Sequence, residues 1–257
     1  MKAALSHKSN HKSNHKLQAD KVILALDVDS FARAKYFVDK LCTRIKIFKV
    51  GLQIFTLCGP EIIKYIRKKK AEVFLDLKFY DIPNTVSNAV RQAVRLNVKM
   101  MTLHISGGRE MLKRAQEAAK EEARFLKIER PLLIGVTVLT SQPSTAEEVL
   151  NLAKIGLDCG LDGVVCSARE VAFLKEKLDR KFIAITPGIR PPGSARDDQK
   201  RTMTAKEALA AGSDFIVVGR PILEAKDPVD AAERLIWDQV QNAVGTRSKM
   251  RLRSVPM

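Results

Sequence analysis

Cysteine is scarce: Cys42, Cys58, Cys159 and Cys166 form no CxxC pair and no regular framework. A disulfide scaffold is thereby excluded, and reduced thiols in a cytoplasmic setting are the expectation. The chain also lacks an HExxH sequence and any Cys/His cluster, so no metal is expected. No apolar run approaches the roughly 18 residues of a membrane span, and the N-terminus is too polar for the apolar part of a signal peptide. Neither GxGxxG nor GxxxxGK[ST] follows the first apolar run, which argues against an open nucleotide-binding sheet.

What the chain does have is length and positive charge. Its 257 residues are enough to bury a core without staples, and lie near the roughly 250 typical of a one-domain (β/α)8 barrel. The net charge of +16 is unevenly spread. Lys2, Lys8, Lys12, Lys16 and Lys21 near the start, and Arg247, Lys249, Arg251 and Arg253 near the end, supply about half of it. The remainder makes the body basic, which suits an anionic substrate.

Residues 1–20 contain the repeat HKSN at 7–10 and 11–14, followed by His15-Lys16. His7, His11 and His15 have metal-binding spacing on a helix, but such a composition cannot bury a core and reads as a low-complexity basic tail. Residues 246–257 read as a second basic tail, leaving 21–245 as the folded domain.

Within that domain, short apolar runs alternate with longer amphipathic ones. The predicted strands are 22–27, 47–51, 73–78, 100–104, 132–138, 163–167, 182–188 and 215–219. They are rich in Val, Ile, Leu and Phe, as parallel strands buried on both faces require. Helical patterns lie between them, as at 84–96 and 167–178. After the eighth strand, 228–243 supplies a closing helix with Val229, Ala232, Ile236 and Val240 on its core stripe. Eight strands, each followed by a helix, predict an α/β fold: a closed TIM barrel.

Polar residues gather at the C-terminal ends of the strands, where barrels of this type carry their active sites. Residues two apart on a strand share a face. Asp76 and Lys78 should therefore point together into the barrel mouth, with Leu75 and Leu77 facing the helices. Asp27 ends the first strand, and Lys49 lies near the end of the second on the face of Ile47. Four charges at strand ends are hard to explain as packing; a structural salt-bridge network is the plain alternative. The stretch from Pro187 to about Thr204 has no periodicity, and irregular segments of that length often act as lids. His104, ending the fourth strand, reads as a supporting or packing residue.

The segment DLKFYDIPNT at 76–85 resembles the orotidine 5'-phosphate decarboxylase family, whose signature is a strand-borne DxKxxDIPxT. ALD at 25–27, KVG at 49–51, VTVLTS at 136–141, ITPGIR at 185–190, DDQKR at 197–201 and IVVGRPI at 216–222 look like further family landmarks in the same order. The match covers 22 to about 240 and is similar to the compact bacterial type. The resemblance implies a cofactor-independent carboxy-lyase that converts orotidine 5'-phosphate to uridine 5'-phosphate (UMP), the last step of de novo UMP synthesis.

It also implies residue roles. Asp27 binds a ribose hydroxyl, Lys49 lies between ribose and the carboxylates, Asp76 faces the substrate carboxylate, and Lys78 protonates C6. Thr85, Thr140 and Ser141 join the substrate-binding set, the last two at the base. Arg190 and Gln199 close over the substrate from the lid, Gln199 bridging base and phosphate. Gly219 and Arg220 hold the phosphate. Asp81 completes the site of the neighbouring subunit in a homodimer; capping the helix that begins near Pro83 is its plain alternative.

Two competing functions differ in class. A sugar-phosphate keto-acid decarboxylase or aldolase of the same superfamily shares DxKxxD, but DIPNT and ITPGIR argue against it. Nucleic-acid binding through the basic tails is the other; the body carries no nucleic-acid module, and the tails lack stacking aromatics.

Overall fold

The computed structural model describes residues 20–139, 141–190 and 203–236. Eight parallel strands close into a barrel in chain order: β1 (Val22–Ala25), β2 (Ile47–Gly51), β3 (Glu72–Phe79), β4 (Met100–His104), β5 (Leu132–Val136), β6 (Gly163–Val165), β7 (Ile183–Thr186) and β8 (Phe215–Val218). β8 closes on β1 with Val22 opposite Ile216 and Leu24 opposite Val218. The expected (β/α)8 architecture is therefore present.

Alternation along each strand divides the core in two. Ile23, Ala25, Ile47, Phe74, Met100, Ile134, Ile185 and Val217 point inward and fill the barrel. Their neighbours Val22, Leu24, Phe48, Val50, Val73, Met101 and Leu103 point outward, into a larger core shared with the helices. A strand buried on both faces has no polar side, which is why these segments read as continuous apolar runs. Leu75 is in the outer core and Leu77 packs against it, as the alternation predicts.

Helix starts follow local chemistry. Ser30 caps the helix Phe31–Leu41 by accepting from the Arg33 N–H at 3.2 Å. Thr145 with Glu148, and Thr204 with Glu207, form capping boxes for Ala146–Asp158 and Ala205–Ala210. Pro83 opens the helix Pro83–Arg95, where its missing N–H costs nothing. The patterns read at 84–96 and 167–178 thus correspond to Pro83–Arg95 and Ala168–Lys177. Residues 228–236 form the described part of the closing helix. Ala232 and Ile236 are buried and Val229 is partly buried, while Val240, residues 1–19 and residues 246–257 lie outside the described residues.

The N-terminal end of the barrel is held by two similar clamps. Asp162 donates its N–H to the Leu133 carbonyl at 2.9 Å, and its Oδ2 accepts from the Leu133 N–H at 2.7 Å. Asp214 does the same with Ala184, at 2.9 and 2.8 Å. Arg130 grips both Asp162 oxygens, at 2.9 and 2.7 Å, and Lys175 lies 3.0 Å from Asp214 Oδ2.

Several strands end earlier than the apolar runs suggest. β1 stops at Ala25 rather than 27, β5 at Val136 rather than 138, β6 at Val165, β7 at Thr186 and β8 at Val218. The residues trimmed are those at the barrel mouth, where the backbone leaves the ladder to form the site's rim.

Candidate active site

The mouth of the barrel holds a cavity of about 480 Å3, with Phe74, Val165, Ile185 and Val217 among the apolar residues lining it. Asp27, Lys49, Asp76 and Lys78 also line it, as do Gly219, Arg220, Glu224 and Arg190. This volume is ordinary for a small-molecule site.

The charges alternate across three neighbouring strands. Lys49 Nζ lies 3.1 Å from Asp27 Oδ1 and 3.4 Å from Asp76 Oδ2. Lys78 Nζ lies 3.0 Å from each oxygen of Asp76. Asp76 and Lys49 are largely buried, whereas the Asp27 side chain is 54% exposed. Burial alone would push the Asp76 carboxyl up, but Lys49 and then Lys78 outweigh it and hold the carboxyl below its ordinary range. Burial likewise acts to lower Lys49, and Asp76 and Asp27 reverse it, leaving the ammonium favoured. Asp76 and Lys49 thus each favour the charged form of the other.

Two backbone features accompany this packing. At Gly51 an added Cβ would come within 3.0 Å of Lys49 Nζ and 3.5 Å of Asp27 Oδ1, so the glycine leaves room for the ion pair. At Lys78 the backbone takes φ 51°, a left-handed conformation uncommon outside glycine. Here β3 and β4 also slip register, between Leu75 opposite Met101 and Phe79 opposite Leu103. Such irregularities often re-aim side chains beside active sites.

Thr102 of β4, fully buried, was not among the residues that the sequence singled out. Its hydroxyl donates to Asp76 Oδ1 at 3.0 Å and accepts the Lys78 N–H at 2.9 Å. The signal was present: in MMTLH, Thr102 shares the inward face of Met100 and His104. His104 is partly buried against Tyr80, with ring centroids 5.6 Å apart. Burial, followed by the Lys78 ammonium, pushes its imidazole below the ordinary value.

Other predicted residues fall in three places. Arg190 lines the cavity and its N–H donates to the Met203 carbonyl at 3.0 Å, joining the two ends of the predicted lid. Gln199 and Thr140 lie outside the described residues. Ser141 is exposed beyond Val138 and Leu139, which line the cavity, so it stands past the end of β5 rather than on it. Asp81 and Thr85 are also exposed, and neither lines this cavity. No ion pair joins Asp81 to Lys78 within the chain among the described residues; Asp81 Oδ1 instead accepts from the Ile82 N–H at 2.7 Å. Among the described residues, no three His, Cys, Asp or Glu side chains cluster to hold a metal, and no helix is long and apolar enough to cross a membrane.

The sequence model of the Orotidine 5'-phosphate decarboxylase / HUMPS family matches residues 20–235, which include every residue of this charged array. The chain belongs to that family. It is 47% identical over 227 residues to orotidine 5'-phosphate decarboxylase from Syntrophotalea carbinolica, covering 84% of this chain and 93% of that one. A Vibrio cholerae orotidine 5'-phosphate decarboxylase is 47% identical over 226 residues, covering 84% and 96%. Among solved structures, orotidine 5'-phosphate decarboxylase from Lactobacillus acidophilus superposes with a TM-score of 0.75 at 35% identity, covering 86% of this chain and 99% of that one. The resemblance carried by DLKFYDIPNT therefore extends to almost the whole barrel of this orotidine 5'-phosphate decarboxylase family member.

Proposed function

We propose that this protein decarboxylates orotidine 5'-phosphate to UMP in pyrimidine biosynthesis, with no metal or organic cofactor. The observation that carries this reading is the alternating array Asp27–Lys49–Asp76–Lys78, lining a cavity that is part polar and part apolar and that Gly219 and Arg220 also line.

In this reading the substrate phosphate sits at Gly219 and Arg220, the usual barrel phosphate position after β7 and β8. A guanidinium supplies a planar fork of donors there. Asp27 accepts from a ribose hydroxyl, Lys49 lies between ribose and Asp76, Val138 and Leu139 border the base, and Thr140 and Ser141 are its candidate polar contacts. Arg190 and Gln199 close from the lid.

The C6–carboxylate bond breaks, its electron pair stays on C6, and carbon dioxide leaves. The Lys78 ammonium stabilises the developing carbanion and delivers its proton to C6. Asp76 faces the substrate carboxylate. Two such charges about 4 Å apart repel by roughly 4 kcal/mol at an effective dielectric near 20. Very slow reactions require reductions toward the upper end of about 8–23 kcal/mol. Repulsion is therefore the smaller contribution, and carbanion stabilisation by Lys78 the larger.

The exposed Asp81 and Thr85 fit a homodimer in which these residues reach the partner's cavity rather than their own. Tyr80 and Ile82, 62% and 67% exposed beside Asp81, supply apolar surface for such an interface. The reading places the enzyme in the cytoplasm.

The test is the pyrimidine absorbance change with orotidine 5'-phosphate, before and after exhaustive chelation. Equal turnover in both supports the reading. No turnover overturns it, and turnover abolished by chelation and restored by magnesium favours the metal-dependent relatives.

A further inference from the structure

Thr102 is fully buried on the inward face of β4, at the place where β3 and β4 lose register. A hydroxyl has one proton to give, and here it goes to Asp76 Oδ1 at 3.0 Å. The Thr102 hydroxyl oxygen in turn accepts the Lys78 N–H at 2.9 Å. One side chain thus joins the carboxylate to the backbone of the residue that carries the neighbouring ammonium. Lys78 is itself in the left-handed region, at φ 51°, where a non-glycine residue needs its surroundings to hold it. Valine has nearly the shape of threonine and could fill the same space. It could neither donate to Asp76 nor accept from Lys78, and the buried N–H and carboxylate oxygen would each lose a partner.

We propose that Thr102 is a positioning residue for the decarboxylation, fixing Asp76 and the Lys78 backbone in one arrangement from the adjoining strand. The inference rests on the function proposed above. Asp76 has other donors in Lys49 and Lys78, so the pocket keeps its charges without Thr102; what changes is their aim. A misplacement of about 1 Å can cost on the order of a hundredfold in rate while leaving binding nearly intact. In the proposed function the phosphate and ribose contacts come from Asp27, Lys49, Gly219 and Arg220, with none of which Thr102 shares a hydrogen bond, so affinity for UMP should be nearly untouched.

The experiment compares wild type, Thr102→Val and Thr102→Ser for kcat and KM on orotidine 5'-phosphate, for Kd of UMP, and for Tm. The expected result for Thr102→Val is a kcat lowered about ten- to a hundredfold, the worth of a hydrogen bond to a charged group, with KM and Kd within about threefold. Thr102→Ser, which restores the hydroxyl, should return kcat to within about threefold of wild type. If Thr102→Val does not fold, Thr102→Ala must show the same split between kcat and UMP binding. Wild-type kcat in Thr102→Val overturns the inference alone. So does a parallel loss of kcat and UMP affinity with no rescue by serine, which is the mark of packing. Wild-type protein that leaves orotidine 5'-phosphate unchanged overturns the function itself, and this inference with it.

Discussion

Lys78 Nζ stands 3.0 Å from both oxygens of Asp76, two residues earlier on the same strand. A regular strand places two such side chains on one face; the left-handed backbone at Lys78 occurs just where the ladder slips. Lys78→Ala should remove the proton donor without emptying the pocket of binding groups. We expect kcat to fall by at least the 100- to 10,000-fold that general acids typically contribute, roughly. UMP should still bind and Tm should change little. Near-wild-type turnover would remove Lys78 from the proposed role.

The charge array also sets a pH dependence of stability. Asp76 is held below the ordinary carboxylate range when folded, so on acidification the unfolded chain takes up that proton first. Its contribution is complete at neutral pH, begins to drain near the ordinary value of about 3.9, and is lost as pH falls through the lower folded value. Lys49 is raised and behaves oppositely: its contribution is complete below the ordinary lysine value and is lost as pH rises through the folded one. Thermal melts of wild type and Asp76→Asn across the acid range would check the first half. Wild-type Tm should fall relative to the variant below about pH 4. Parallel curves would show that Asp76 has no depressed titration.

At the opposite end of the barrel, Asp162 binds the Leu133 N–H and both arms of Arg130. Asp162→Ala leaves a buried donor and a guanidinium without their acceptor, a loss of about 2–4 kcal/mol. For a chain of this size that corresponds to a Tm lower by roughly 5–12 °C. The substituted residue is remote from the mouth, so kcat at 25 °C should stay within about twofold, as expected for the stability face of a barrel. Unchanged Tm would show that the clamp is mere surface pairing.

The barrel was legible because both of its periodicities are plain in the residues. Ile23 and Ala25 point in while Val22 and Leu24 point out, and the same division recurs from strand to strand. The strand ends were less legible: Asp27 and Ser141 follow apolar runs that leave the ladder before reaching them. Asp76, Lys78 and Lys49 converge as alternation implies. Alternation in MMTLH puts Thr102 on the inward face, but spacing does not say what its hydroxyl meets there. Its meaning depends on the register slip beside it, a relation between two strands that no single segment encodes. The direction of Asp81 depends in the same way on how the chain turns after Phe79.

Asp81 is the residue whose role two readings contest. It is exposed, accepts from the Ile82 N–H, and makes no ion pair with its own Lys78. A local role beside the helix Pro83–Arg95 would account for that hydrogen bond alone. A shared site accounts as well for the exposed Tyr80 and Ile82 on either side of it. Complementation separates the two. Asp81→Ala and Lys78→Ala should each be nearly inactive, and in a mixed dimer one site carries both lesions while the other carries neither. Random exchange of equal amounts makes about half the dimers mixed, each with one intact site of two, so activity should recover to about one quarter of wild type. Exchange is verified with differently tagged subunits. Exchange without recovery would return Asp81 to its local role and remove the partner's carboxylate from the mechanism.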